Sequence, residues 1–211
     1  VILRSMKKIL LFDFDGVIVD SFDVAYSLAQ KLDGPMNIEK YRDKFMGNIY
    51  DSIADFTPEE DMAKYDKQWF DEYTPMLMKL PVFSDMKEVL ELLSRTYTLV
   101  ILSSTISSPI KEFLTIQNIG HHFDYVYGSD VHYSKVKKID MVFKKYKVTA
   151  KNCLFITDTV GDLKEARQKN IASLAVSWGF HPKERFLEYN PYAIIDKPSE
   201  MTSKVAIYFN G

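Results

Sequence analysis

The 211-residue sequence predicts an α/β fold: a doubly wound parallel sheet with an all-helical segment inserted into it. Three observations carry this. Short apolar runs rich in Val, Ile, Leu and aromatics recur along the chain, as in strands buried on both faces of a parallel sheet. Helical patterns separate most of them, which implies right-handed crossovers with helices on both faces. Between the first two runs lies a stretch of about 65 residues, 18–82, without a convincing strand, far longer than an ordinary βα connection.

Element by element, strands are expected at residues 8–12, 99–102, 123–127, 153–156 and 173–176. Met86, Val89, Leu90 and Leu93 follow helical spacing, as do Ile139, Val142, Phe143 and Tyr146. Residues 6–17 and 83–211 are read as the α/β core, and 18–82 as a helical cap, broken at Gly34-Pro35, Gly47 and Thr57-Pro58. The cap segment has 7 basic and 13 acidic residues, a net −6, and the rest of the chain +4. Met6 reads as a possible natural start, with residues 1–5 as an extension.

Composition excludes several classes. With 46% apolar residues, 8 Gly and 8 Pro, the chain is neither disordered nor collagen-like. A net charge of −2 offers no basic excess for a nucleic-acid backbone. No run approaches the roughly 18 apolar residues of a membrane span, and no cleavable leader pattern follows the basic start. A soluble cytoplasmic protein, monomeric or homodimeric, is expected. The lone Cys153 lies in an apolar run with no basic neighbour, and reads as a buried core residue.

Chemistry concentrates at strand ends, where open parallel sheets bind ligands. The first strand runs into Asp13-Phe14-Asp15-Gly16, and the fourth into Thr157-Asp158-Thr159-Val160-Gly161-Asp162. If these strands are neighbours, four carboxylates converge, and like charges so close need a cation among them to stay ionised. Oxygen ligands without His or Cys favour Mg²⁺, with waters and a phosphate completing its shell. Asp162 also reads as a first-turn acid of the next helix. Ser103, Ser104 and Thr105 end the second strand before a helix expected near 108–118, a place suited to an anion or simply to capping. In Ser134-Lys135-Val136-Lys137-Lys138, a cation at a helix start is misplaced for the macrodipole; Lys135 is the first choice for a phosphate contact, Lys138 the reserve.

Adjacent His121 and His122 would face opposite sides of a strand and are expected at the surface. Tyr65, Trp69, Phe70 and Tyr73 are expected to pack the cap rather than to line substrate; Arg42 and Lys44 are possible substrate contacts.

The segment Asp13-Phe14-Asp15-Gly16-Val17-Ile18-Val19-Asp20-Ser21 resembles the first motif of the haloacid dehalogenase-like hydrolase superfamily. Ser103, Lys135, and Asp158 with Asp162 match its second, third and fourth motifs in order. The tail Val176-Ser177-Trp178-Gly179-Phe180 and the helical insert are similar to the branch around phosphoglycolate phosphatase and β-phosphoglucomutase. Thr157 departs from the family pattern, where many members carry glycine. The resemblance implies that Asp13 is the nucleophile forming an aspartyl-phosphate and Asp15 the general acid and base. It also implies that Asp13, the Asp15 carbonyl, Asp158 and Asp162 hold Mg²⁺, that Ser103, Ser104 and Lys135 bind the phosphate, and that the cap closes over them. The implied activity is hydrolysis of a small phosphorylated metabolite, phosphoglycolate-like or a sugar monophosphate. A phosphomutase or phosphotransferase using the same intermediate, a dehalogenase and a non-catalytic binding protein are the alternatives.

Overall fold

The computed structural model describes residues 7–55 and 57–211. The proposed start at Met6 and the extension 1–5 lie outside them. Six parallel strands form one sheet in the order β3-β2-β1-β4-β5-β6, with β1 Ile9–Phe12, β2 Thr98–Leu102, β3 Phe123–Tyr127, β4 Cys153–Thr157, β5 Ala172–Val176 and β6 Ala193–Ile195. The five expected strands are present within a residue at either end, and β6 is an addition.

Alternation along β1 shows why the strand reads as a continuous apolar run. Leu10 and Phe12 enter one core, Ile9 and Leu11 the other, and all four are fully buried. The first core is covered by α5 (Met86–Ser94), α6 (Ser107–Ile116) and α9 (Met201–Asn210); the second by α7 (Lys135–Tyr146) and part of α8 (Val160–Gln168). The residues at helical spacing in α5 are all buried.

Between β1 and α5 the described residues hold no strand, only α1 (Phe22–Asp33), α2 (Ile38–Asp43), α3 (Ile49–Ala54), a 3-10 turn at Glu59–Asp61 and α4 (Met62–Leu77). The breaks fall near the Gly and Pro signals. Asn37 and Asn48 cap α2 and α3 by accepting from the backbone N–H groups of Lys40 and Tyr50. This helical layer is seated on the core. Gly161 N–H donates to Phe45 O at 2.9 Å, and a Cβ on Gly161 would stand 2.1 Å from the Gly47 carbonyl oxygen, so a side chain there would push the layers apart.

His121, exposed, and His122, half-buried, close a 3-10 turn, Gly120–His122, just before β3; their rings are 4.0 Å apart and His122 Nδ1 is 3.0 Å from the Ser94 hydroxyl. Cys153 is buried as expected, and burial pushes its thiol up to about 12. Among the described residues no helix is long and apolar enough to cross a membrane.

Candidate active site

The carboxyl ends of β1 and β4 meet because these strands pair in register, Phe12 beside Ile156. Asp13 N–H donates to Ile156 O at 2.9 Å, which places Asp13 against Thr157 and Asp158. The chain then turns sharply: Ile18 N–H donates to Phe14 O, and Gly16 takes φ +72°. A Cβ on Gly16 would be 2.0 Å from Asp158 Oδ2, so both the turn and the close approach require glycine.

At the centre stands Lys135, fully wrapped at the start of α7. Its ammonium donates to Asp13 Oδ2 at 2.8 Å and to Asp162 Oδ2 at 2.7 Å. Its backbone is held from α8, where Glu165 Oε1 accepts the N–H of Lys135 at 2.9 Å and of Val136 at 3.4 Å. A carboxylate at that helix start suits the macrodipole and frees the lysine side chain to point inward. Burial opposes the ammonium, but Asp13 and Asp162 overcome it and hold Lys135 charged, above its ordinary range.

The carboxylates differ in their surroundings. Burial raises Asp13 well above the usual carboxylate range; Lys135 opposes this, and Asp162 and Asp158 add to it. Asp13 Oδ1 accepts from Phe14 N–H at 2.8 Å. Burial raises Asp158 to about 7, with Asp162 adding to the shift and the Phe180 N–H, 2.7 Å from Oδ2, opposing it. Its other oxygen, Oδ1, is buried without a hydrogen-bond partner. Asp162 lies in the first turn of α8, but Thr159 is the cap residue there. The Asp162 carboxylate instead accepts from Lys135 and from the Thr157 hydroxyl at 2.7 Å. Thr157, the departure from the family pattern, thus supplies a donor that glycine lacks.

Asp15 is held by three hydroxyls: Ser21 at 2.9 Å and Tyr73 on Oδ1, and Thr105 at 2.7 Å on Oδ2. Ser21 stands just before α1, Thr105 in the loop after β2, and Tyr73 on α4 of the helical layer. The second strand end is arranged differently from a simple row of hydroxyls. Ser103 is fully buried, its Oγ accepting from Thr105 N–H at 3.0 Å and its carbonyl accepting from the Lys138 ammonium. Ser104 and Thr105 line the cavity, and the Ser104 carbonyl takes the Tyr50 hydroxyl at 2.8 Å. Of the three lysines, Lys137 is exposed, Lys138 serves Ser103 and is lowered to about 7 by burial, and Lys135 joins the carboxylates.

A cavity of about 110 Å³ opens over Asp13, Asp15, Lys135 and Asp162, roofed by the helical layer. Tyr65, Trp69, Phe70 and Tyr73 line it, although Phe70 and Tyr73 are also buried in the core; packing and wall are one surface here. Lys44 lines it too, its ammonium 2.7 Å from Asp33. Arg42 does not; its Nε donates to Phe180 O at 3.0 Å, tying the layer to the loop beyond β5. Tyr50 escapes sequence reasoning altogether, and the bonds of Tyr73 and Thr105 to Asp15 span 58 and 90 residues, with only the hydroxyl itself as a signal.

The described residues fit a small hard cation. Asp158 Oδ1 is an acceptor left unsatisfied in a buried site beside Asp13 and Asp162. No three His, Cys, Asp or Glu side chains among the described residues form a ready-made cage, whereas Mg²⁺ characteristically uses one or two carboxylates and completes its shell with water and phosphate.

The strand-end carboxylates and the buried lysine form a polar centre beneath a chamber walled largely by aromatic side chains of the helical layer. The haloacid dehalogenase-like hydrolase family matches residues 10–176, and the chain belongs to that family. It is 26% identical to a protein named "Probable phosphatase IndB" from Dickeya dadantii, covering 93% of this chain and 92% of that one. It is 25% identical to phosphoglycolate phosphatase of Vibrio parahaemolyticus, over 95% of this chain and 96% of that protein. A crystal structure titled as a predicted phosphatase from Clostridium acetobutylicum shares the fold with a TM-score of 0.82 at 19% identity, covering 96% of this chain and all of that one.

Proposed function

We propose that the chain is a Mg²⁺-dependent phosphatase that hydrolyses a small phosphorylated metabolite through an aspartyl-phosphate on Asp13, with residues 18–82 acting as a cap domain. One observation carries the reading: Lys135 bridges Asp13 and Asp162 at the adjoining ends of β1 and β4, beside the unsatisfied oxygen of Asp158. A binding module has no use for so costly a buried cluster.

A carboxylate oxygen of Asp13 attacks phosphorus and the bond from phosphorus to the ester oxygen breaks. Asp15 gives its proton to the departing oxygen, then takes one from the water that attacks the aspartyl-phosphate, releasing phosphate and restoring Asp13. The Ser21, Thr105 and Tyr73 hydroxyls aim Asp15 for both transfers. Lys135 orients Asp13 and offsets charge on the phosphoryl oxygens, with Ser104 and the buried Ser103 loop shaping the phosphate seat. Asp13, the Asp15 carbonyl, Asp158 and Asp162 would hold Mg²⁺, which supplies further charge neutralisation to the transferring group. The roof excludes bulk water.

The test is hydrolysis of p-nitrophenyl phosphate with Mg²⁺, with excess chelator, and by Asp13→Asn with its fold checked by circular dichroism. The expected result is turnover only by the unmodified protein with Mg²⁺. Full turnover by the folded variant, or in chelator, contradicts the mechanism.

A further inference from the structure

We infer that the alcohol part of the substrate carries an apolar, ring-sized body and no second negative charge. The inference rests on the phosphatase reading above and concerns what surrounds the leaving group. Beyond the polar centre the chamber presents Tyr41, Tyr65, Trp69, Phe70 and Tyr73. Tyr65, Trp69 and Tyr73 stack along one face of α4, with ring centroids 6.4 and 6.2 Å apart. Such a wall offers a flat apolar body more than it offers a small hydroxylated chain.

The charges in this part of the chamber are Asp33, Lys44 and Asp66. A site that selects a substrate carboxylate needs a cation aimed at it, most effectively a bidentate arginine. Among the described lining residues there is no arginine, and Lys44 is committed. Its ammonium donates to Asp33 Oδ2 at 2.7 Å, and both side chains are largely buried. The remaining Asp33 oxygen accepts from the Tyr65 hydroxyl at 2.8 Å. The pair is neutral as a unit. Asp66, half-buried and accepting from the Tyr133 hydroxyl at 2.8 Å, then leaves an excess of negative charge in the wall. A second anionic group on the leaving alcohol would have to break Lys44 from Asp33 or sit against Asp66.

The experiment compares kcat/KM, with Mg²⁺ at neutral pH, for four esters: benzyl phosphate, 4-carboxybenzyl phosphate, 2-hydroxyethyl phosphate and 2-phosphoglycolate. They vary ring and carboxylate independently. Benzyl phosphate is expected to be the best of the four, and the added carboxylate to cost at least about tenfold in each pair, the effect of a like charge in a partly desolvated cleft. In Asp66→Asn the ratio of benzyl to 4-carboxybenzyl turnover is expected to fall severalfold. An unmoved ratio in that variant, or 2-phosphoglycolate as the best ester, overturns the inference; loss of that preference in Lys44→Met would identify the lysine as a carboxylate receptor, also against it. Turnover with such a reversed ranking leaves the phosphatase reading intact. No turnover of any ester, p-nitrophenyl phosphate included, overturns that reading and this inference together.

Discussion

His181 joins the helical layer to the core, and acid should loosen that joint. The imidazole is fully buried; Val160 N–H donates to Nδ1 at 3.0 Å, and Nε2 lies 2.8 Å from the Arg42 carbonyl oxygen. The neutral tautomer with its proton on Nε2 satisfies both partners, whereas a second proton on Nδ1 would meet the Val160 N–H head on. Burial lowers its pKa from 6.5 to about 4, assisted by the charges of Arg185 and Arg42 and opposed by the hydrogen bond to Arg42. Because the folded value lies below the unfolded one, the unfolded chain takes up the proton first. The stability that His181 contributes is complete above 6.5 and is lost as pH falls toward 4. The gap corresponds to about 3 kcal/mol, of which about 2 kcal/mol disappears between pH 7 and pH 5. Urea unfolding across that range, in the unmodified chain and in His181→Asn, isolates this contribution because other titrations are common to both. The difference in stability between the two should shrink by about 2 kcal/mol from pH 7 to pH 5. Parallel pH profiles, or an imidazole that titrates near 6.5 by NMR, would show that His181 does not make the joint acid-sensitive.

Two further substitutions probe the site itself. Lys135→Met leaves Asp13 and Asp162 buried without their shared cation, and should cost about 3–5 kcal/mol in denaturant unfolding with chelator present; a loss under about 1 kcal/mol would show that the cluster is far better solvated than its geometry indicates. Tyr73→Phe removes one of three hydroxyls from Asp15 and should lower kcat on an alkyl phosphate about tenfold while sparing an aryl phosphate, whose departing oxygen needs little protonation. Equal losses on both esters would make Tyr73 a packing residue only.

The layout was legible where local pattern and tertiary role coincide. β1 and β4 are buried on both faces, so their sequences are unbroken apolar runs, and the acids that end them stand out. β6 has three residues at the edge of the sheet, too short to register against the loop around it. Asp13, Asp15, Asp158, Asp162 and Lys135 were recognisable as residue types at strand and helix ends, and the structure brings them together. Ser103 is picked out by the motif resemblance, but which hydroxyl faces the cavity depends on the loop conformation, and Ser104 and Thr105 line it while Ser103 is buried. Tyr73 and Trp69 show the limit of periodicity, since the same helical face both packs the core and lines the chamber. His181 has no local signal at all: its partners lie 21 and 139 residues away.

In the proposed mechanism Asp13 carries the phosphoryl group during turnover. Rapid acid quench of the enzyme during hydrolysis of a phosphate monoester with Mg²⁺, followed by peptide mass spectrometry, tests it directly. One phosphoryl group is expected on the peptide containing Asp13, absent in Asp13→Asn and discharged on neutral chase. Steady turnover with the phosphoryl group found on another residue, or undiminished turnover by Asp13→Asn, would contradict it.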